Sequence, residues 1–251
     1  MSNRKLLKLA IEAAYAAGRV LIEKRSSFSV LASQGKDLKS EADLASEKAI
    51  FSFLDTTGIP TLSEESRADT KIIEKGRMWI VDPLDGTVNF TRGLPLFCVS
   101  IGLWEDGKPL LGVIYEPVTN QTFAGLVGEG ATLNGSPVRT AEISDPGQAV
   151  LCTGFPTGRS YEQEDLVRFV KSVQKFKKVR LLGSAALCLA YVSAGLVDAY
   201  CEEDIWLWDV AAGLAIITAA GGNVRFGPWS GQLKSRVIAT NGAIPTSQLV
   251  D

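Results

Sequence analysis

The chain has 251 residues, a formal charge of −2 and 46% hydrophobic residues, the profile of a globular protein with a sizeable core in one large domain or two small ones. The near-neutral balance argues against a nucleic-acid surface, which would be basic. No histidine is present, which excludes the Ser-His-Asp triad, Cys-His nucleophiles, phosphohistidine chemistry and every His-containing zinc site.

Apolar residues at helical spacing from Leu6 to Leu21 predict a long amphipathic helix over 4–24. Lys8 and Glu12 interrupt that stretch, so it does not read as a signal peptide. Ser40 is the expected N-cap of a second helix, Glu41 to Leu54, with Asp43 in its first turn, where capping alone could explain an acid. Strand-like runs follow at 60–64, 78–82, 96–104, 110–116 and 121–127, with turns at Glu105-Asp106-Gly107 and Asn134-Gly135, and are read as an antiparallel meander. Beyond about residue 146 the pattern alternates. Strands are expected at 149–154, 178–182, 197–201, 222–226 and 235–240, and helices at 161–176, 184–195 and 206–220. The uncharged stretch from Leu181 to Val197 is short for a membrane span and diluted by Gly and Ser, so it reads as a buried helix. Cys98, Cys152, Cys188 and Cys201 form no C-x-x-C pair and have apolar neighbours, which suits free thiols in a reducing, cytoplasmic setting. The expected organisation is two parts, 1–145 and 146–251, divided near Ser144-Asp145-Pro146-Gly147.

The chemistry is concentrated where the buried strand pattern Trp79-Ile80-Val81 runs into Asp82-Pro83-Leu84-Asp85-Gly86-Thr87. Strand ends in α/β proteins are where ligands bind. Two aspartates three residues apart repel each other unless a cation or proton lies between them. Pro83 is expected to turn the chain out of the strand, and Gly86 to let the backbone expose its N–H. Carboxylates for a hard cation beside free N–H groups for an anion suggest a metal-assisted phosphate site. Asp-Gly is also ordinary turn chemistry, so further acids matter. Glu64-Glu65 ends one strand-like run, Glu202-Glu203-Asp204 ends another, and Asp209 opens a nearly uncharged helix where a buried carboxylate is costly unless paired or capping.

Four segments, Ser63-Glu64-Glu65-Ser66, Trp79 to Phe90, Gly183-Ser184-Ala185-Ala186 and Trp208-Asp209-Val210-Ala211-Ala212-Gly213, resemble the inositol monophosphatase family of Mg²⁺-dependent, lithium-sensitive phosphatases. The resemblance spans nearly the whole chain, including Gly128-Glu129-Gly130-Ala131. It implies an α/β (α+β) fold, a layered α-β-α-β-α sandwich of the sugar-phosphatase type. It implies metal ligands Glu64, Asp82, Asp85, Asp209 and the Leu84 carbonyl. Most of these fall in the first part, while the second supplies Asp209 and the substrate pocket. Gly86 and Thr87 would contact phosphate, Asp43 would orient Thr87, Glu202 would bind a sugar hydroxyl, and Ala185 would lie beside the ring. Asp85 and Asp209 would touch substrate as well as metal. Glu64, Thr87 and Asp43 form the implied catalytic set. Two or three Mg²⁺ are expected, one on Glu64 and Asp82, one on Asp82, Asp85 and Asp209, and a weaker one near Glu64, with Mn²⁺ as a substitute and Li⁺ and Ca²⁺ as inhibitors. Three positions depart from the family pattern: Ser63 and Asp204 stand where glycine is common, and Gln121 where an acid is frequent.

The implied reaction is hydrolysis of a small phosphorylated polyol or sugar. Thr87-Val88-Asn89-Phe90 favours inositol monophosphate; fructose 1,6-bisphosphate, histidinol phosphate and a nucleoside 3′,5′-bisphosphate are the rivals. A homodimer is the expected assembly, with no membrane or nucleic-acid partner. A regulatory binding protein on the same fold is the non-enzyme alternative. The basic run Lys171, Lys175, Lys177, Lys178 and Arg180 would serve it, although a solvated helix end explains that run more simply.

Overall fold

The computed structural model describes residues 1–34, 37–66, 75–155, 162–229 and 233–249, with the backbone alone for 30–34 and 37–39. The chain runs α1 (Asn3–Lys24), β1 (Val30–Gln34), β2 (Asp37–Ser40), α2 (Glu41–Leu54), β3 (Thr61–Ser63), β4 (Arg77–Asp85), α3 (Thr87–Thr91), β5 (Cys98–Glu105), β6 (Lys108–Glu116), β7 (Gln121–Leu126), β8 (Gly130–Leu133) and β9 (Ser136–Val138). It continues with β10 (Val150–Thr153), α4 (Gln163–Val173), β11 (Lys178–Arg180), α5 (Ala185–Ser193), β12 (Ala199–Trp206), α6 (Leu207–Ala219), β13 (Asn223–Phe226) and β14 (Lys234–Thr240).

A seven-stranded sheet takes β3 to β9 in sequence order, and a five-stranded sheet has the order β11-β10-β12-β14-β13. The buried stripe of α1 packs with α2 onto Trp79, Val81, Val99, Ile101 and Val113, one face of the larger sheet. The alternate residues Met78, Ile80, Cys98 and Ile114 face α5 and α6. Strand alternation thus separates two cores. Beyond α5 and α6 lies the smaller sheet, and Val173 of α4 packs against its far side beside Leu151 and Ile238. The layers are α-β-α-β-α, as the resemblance implies. α6 is buried on nearly all sides because it lies between two sheets.

Several expectations need correction. β4 does not turn out at Pro83; it continues to Asp85, with its pairing to β5 slipping between Asp82 and Asp85. A bulge tolerates proline because the missing N–H falls where the ladder is already broken. The meander is antiparallel only from β4 onward, since β3 pairs parallel to β4. The hairpins β1–β2 and β8–β9 escaped the strand pattern, being short and polar. β12 runs to Trp206, five residues beyond its expected end, because a bulge carries its acidic residues and pairing with β14 resumes. The expected start of the 161–176 helix at Tyr161 lies outside the described residues, and α4 is observed from Gln163.

α6 approaches the larger sheet closely because Gly102, Gly112 and Gly125 stand side by side on β5, β6 and β7. A Cβ on Gly112 would lie 2.1 Å from the Ala212 carbonyl oxygen, a backbone atom that cannot swing away. The indole of Trp104 adds a bond to the Ala211 carbonyl at 3.2 Å. Gly112→Ala is therefore expected to lower stability by about 1–3 kcal/mol, the range for an overpacked core. Urea denaturation measures this, and an unchanged midpoint would mean that α6 can lift off the sheet at no cost.

Candidate active site

The site forms where β4 ends. Gly86 has φ +90°, and a Cβ there would sit 2.8 Å from the Leu96 carbonyl, so the turn admits no side chain. α3 starts at once, with no side chain capping its first turn. Its amides at Thr87 and Val88 belong to the positive end of a helical turn. Asn89 fixes the helix sideways by donating to the Leu96 and Leu182 carbonyls at 2.7 and 2.8 Å.

Asp43 and Thr87, distant in sequence, meet here. One oxygen of Asp43, Oδ2, closes the α2 capping box, accepting from the Ser40 amide at 2.8 Å and the Ser40 hydroxyl at 2.5 Å. The other, Oδ1, accepts from the Thr87 hydroxyl at 3.1 Å. Capping and orientation are therefore both observed, one on each oxygen. The Leu84 carbonyl is a second acceptor for the same hydroxyl, at 3.0 Å. Burial pushes the Asp43 carboxyl above its usual range against the lowering effect of these bonds.

Asp85 is bound to the N-terminus of α5. Its Oδ2 accepts from the Ser184 hydroxyl at 2.5 Å and the Ala186 amide at 2.7 Å. Burial raises its pKa to about 6 despite these donors. Asp82 accepts from the Leu84 amide at 2.9 Å and lies well above its usual range, through burial first and then Glu64, Asp85 and Asp209. Glu64 hydrogen-bonds to Asp82 and is pushed up to about 8, by burial first and then by neighbouring acids. Two carboxyls can share such a bond only if one keeps a proton. Asp209, in the first turn of α6, is likewise pushed well up by burial, then by Asp85, Glu64 and Glu202.

These four acids therefore stand in mutual electrostatic range. Among the described residues, no three His, Cys, Asp or Glu side chains close into a finished metal shell. The donor chemistry nonetheless fits a hard divalent cation: carboxylate oxygens, no imidazole, and carboxyl pKa values raised by burial in all four acids and by mutual repulsion in Glu64, Asp82 and Asp209. Ser100, opposite Asp82 on β5, also leaves its buried hydroxyl without a partner among the described groups.

Asp85 and Asp209 open onto a cavity of about 360 Å³. Its lining includes Asp85, Asn89, Ser184, Ala185 and Asp209 together with Glu202, Asp204, Trp206 and Phe155. Glu202 accepts from the Tyr200 hydroxyl at 2.9 Å. Of the residues predicted for the site, Asp85, Ala185, Glu202 and Asp209 line this pocket, and Glu64, Asp82, Leu84, Thr87 and Asp43 are tied to them through the contacts above, while the basic run is exposed. Sequence reasoning missed Glu47. This buried acid accepts from the Ser63 hydroxyl at 2.6 Å and the Ser66 amide at 3.2 Å, which fixes the segment carrying Glu64. The available signal was an acid one helical turn after Asp43, on the stripe that continues through Ile50 and Leu54. The same bonds explain how Ser63 is accommodated where glycine is common.

The sequence profile of the inositol monophosphatase family matches residues 2–249. A Xylella fastidiosa protein named Nus factor SuhB is 39% identical over 232 residues, covering 88% of this chain and 82% of its own. A Thermotoga maritima fructose-1,6-bisphosphatase/inositol-1-monophosphatase is 37% identical, covering 89% and 82%. The solved structure of inositol monophosphatase from Anabaena superposes with a TM-score of 0.81 at 35% identity, covering 96% of this chain and 92% of that one. This chain belongs to the inositol monophosphatase family and is a phosphomonoester hydrolase.

Proposed function

We propose that this protein hydrolyses the phosphomonoester of a small polyol, with inositol monophosphate as the leading substrate, and that Mg²⁺ is required. The observation that carries this reading is the meeting of the mutually repelling acids with the Asp43–Thr87 pair beside a cavity that also presents Glu202. Glu64, Asp82, the Leu84 carbonyl, Asp85 and Asp209 are the proposed cation donors. Bound Mg²⁺ would supply Lewis acidity toward the phosphate and lower the pKa of a coordinated water.

The protein's own groups do the rest. The Gly86 and Thr87 amides hold phosphate oxygens at the start of α3. Thr87 passes its single hydroxyl proton toward Asp43 Oδ1, leaving Oγ1 lone pairs to accept from the attacking water. Asp43, already raised in pKa, is suited to receive it. Glu202, steadied by Tyr200, accepts from a ring hydroxyl while Ala185 borders the ring.

Removing metal is expected to have two effects. Phosphate release from inositol 1-phosphate should stop with a chelator and return with Mg²⁺; full activity without metal would overturn the proposal. Stability should also change with pH. Glu64 near 8 and Asp85 near 6 bind protons more tightly in the folded chain than their usual 4.5 and 3.8 allow. Their contribution is thus complete below about pH 4 and is lost as pH rises toward 8. The melting temperature of metal-free protein should fall across that window, and saturating Mg²⁺ should remove the fall.

The Thr87–Asp43 bond is tested by a double-mutant cycle. Thr87→Ala and Asp43→Asn are each expected to cut kcat by about 10²-fold or more, with the double variant hardly worse. Independent, multiplicative losses would show that the two do not act as one unit.

A further inference from the structure

One wall of the cavity is shaped by the β12 bulge. Pairing with β14 slips between Glu202 and Ile205, and within that slip Asp204 takes φ +55°. A left-handed backbone is sparsely populated by residues other than glycine, and bulges beside sites re-aim side chains. Here the bulge turns Asp204 into the wall of the cavity beside Glu202 and Trp206.

Lys234 of β14 holds it there. Its ammonium is 3.5 Å from Asp204 Oδ2, on a side chain only 15% exposed. The same ammonium lies 4.2 Å from the centroid of the Trp206 ring, and that ring stacks on Trp208 at 4.7 Å. Lys234 thus has a carboxylate and an indole as neighbours and is not among the groups lining the cavity, whereas Asp204 and Glu202 are. The lining residues among those described include no Lys or Arg. A ring bearing hydroxyls can donate to both carboxylates. A second phosphate would meet the carboxylate of Asp204, whose charge the 3.5 Å contact with Lys234 offsets only in part.

We propose that Asp204, held by Lys234, is a specificity-determining residue that admits hydroxyl-rich monophosphates and excludes bisphosphates. The proposal rests on the reading of this cavity as a phosphomonoesterase pocket. Its test compares kcat/KM for inositol 1-phosphate and inositol 1,4-bisphosphate, which share a ring and a scissile group. The wild type should prefer the monophosphate by about tenfold or more, the scale of one like-charge contact in a partly screened site. Asp204→Asn and Asp204→Gly both accept a left-handed backbone, and each should narrow that preference several-fold. The ratio is informative because a loss of folded enzyme lowers both rates together. Equal use of the two substrates by the wild type, or an unchanged ratio in both variants, would overturn the role of Asp204. No turnover of either substrate by the Mg²⁺-loaded wild type would overturn the phosphatase reading itself.

Discussion

Glu64, Asp82, Asp85 and Asp209 are acids of one sign held together away from water, and much of the structure is arranged around that conflict. Each lies above its ordinary pKa with burial as the largest cause. A buried carboxylate is tolerable only when paired, protonated or hydrogen-bonded. Local donors meet part of the need: the Leu84 amide for Asp82, and Ser184 and the Ala186 amide for Asp85. What remains is repulsion that a divalent cation would turn into attraction. The acids come from the end of β3, from β4 and from α6, so the site also depends on how closely α6 can approach the larger sheet. The glycine row across β5, β6 and β7 sets that distance.

Two of the acids share a second device. Asp43 and Asp209 both occupy the third position of their helices, and one oxygen of Asp43 accepts a bond from the Ser40 amide at its helix N-cap. Capping fixes the carboxylate's direction at little entropic cost and leaves the other oxygen for a second task. In Asp43 that oxygen reaches Thr87. Capping and the contact with Thr87 are therefore not competing explanations of Asp43, since the cap fixes the carboxylate that Thr87 meets.

Much of this was legible in the sequence. The helix from Glu41 with its Ser40 cap, the acid pair at the end of β4 and the acid opening α6 were visible because hydrophobic period, capping chemistry and the cost of buried charge all act locally. The bulges in β4 and β12 were not, because proline and acid runs look like chain turns unless the partner strand is known. Glu47 was hidden by its ordinary helical setting, and its role appears only when Ser63 is brought beside it. Lys234 and Trp206 gave no sign, since their contact needs β14 paired with β12.

The central claim is that these four acids are a divalent-cation site. Crystals grown with Mn²⁺ and measured at the manganese absorption edge test it most directly. Strong anomalous peaks are expected within coordination distance of Glu64, Asp82, Asp85 and Asp209, at about 2.0–2.3 Å from their oxygens, with the peak beside Asp209 lost in Asp209→Asn. A wild-type map with no anomalous density among these carboxylates, or with manganese only elsewhere, would contradict the account.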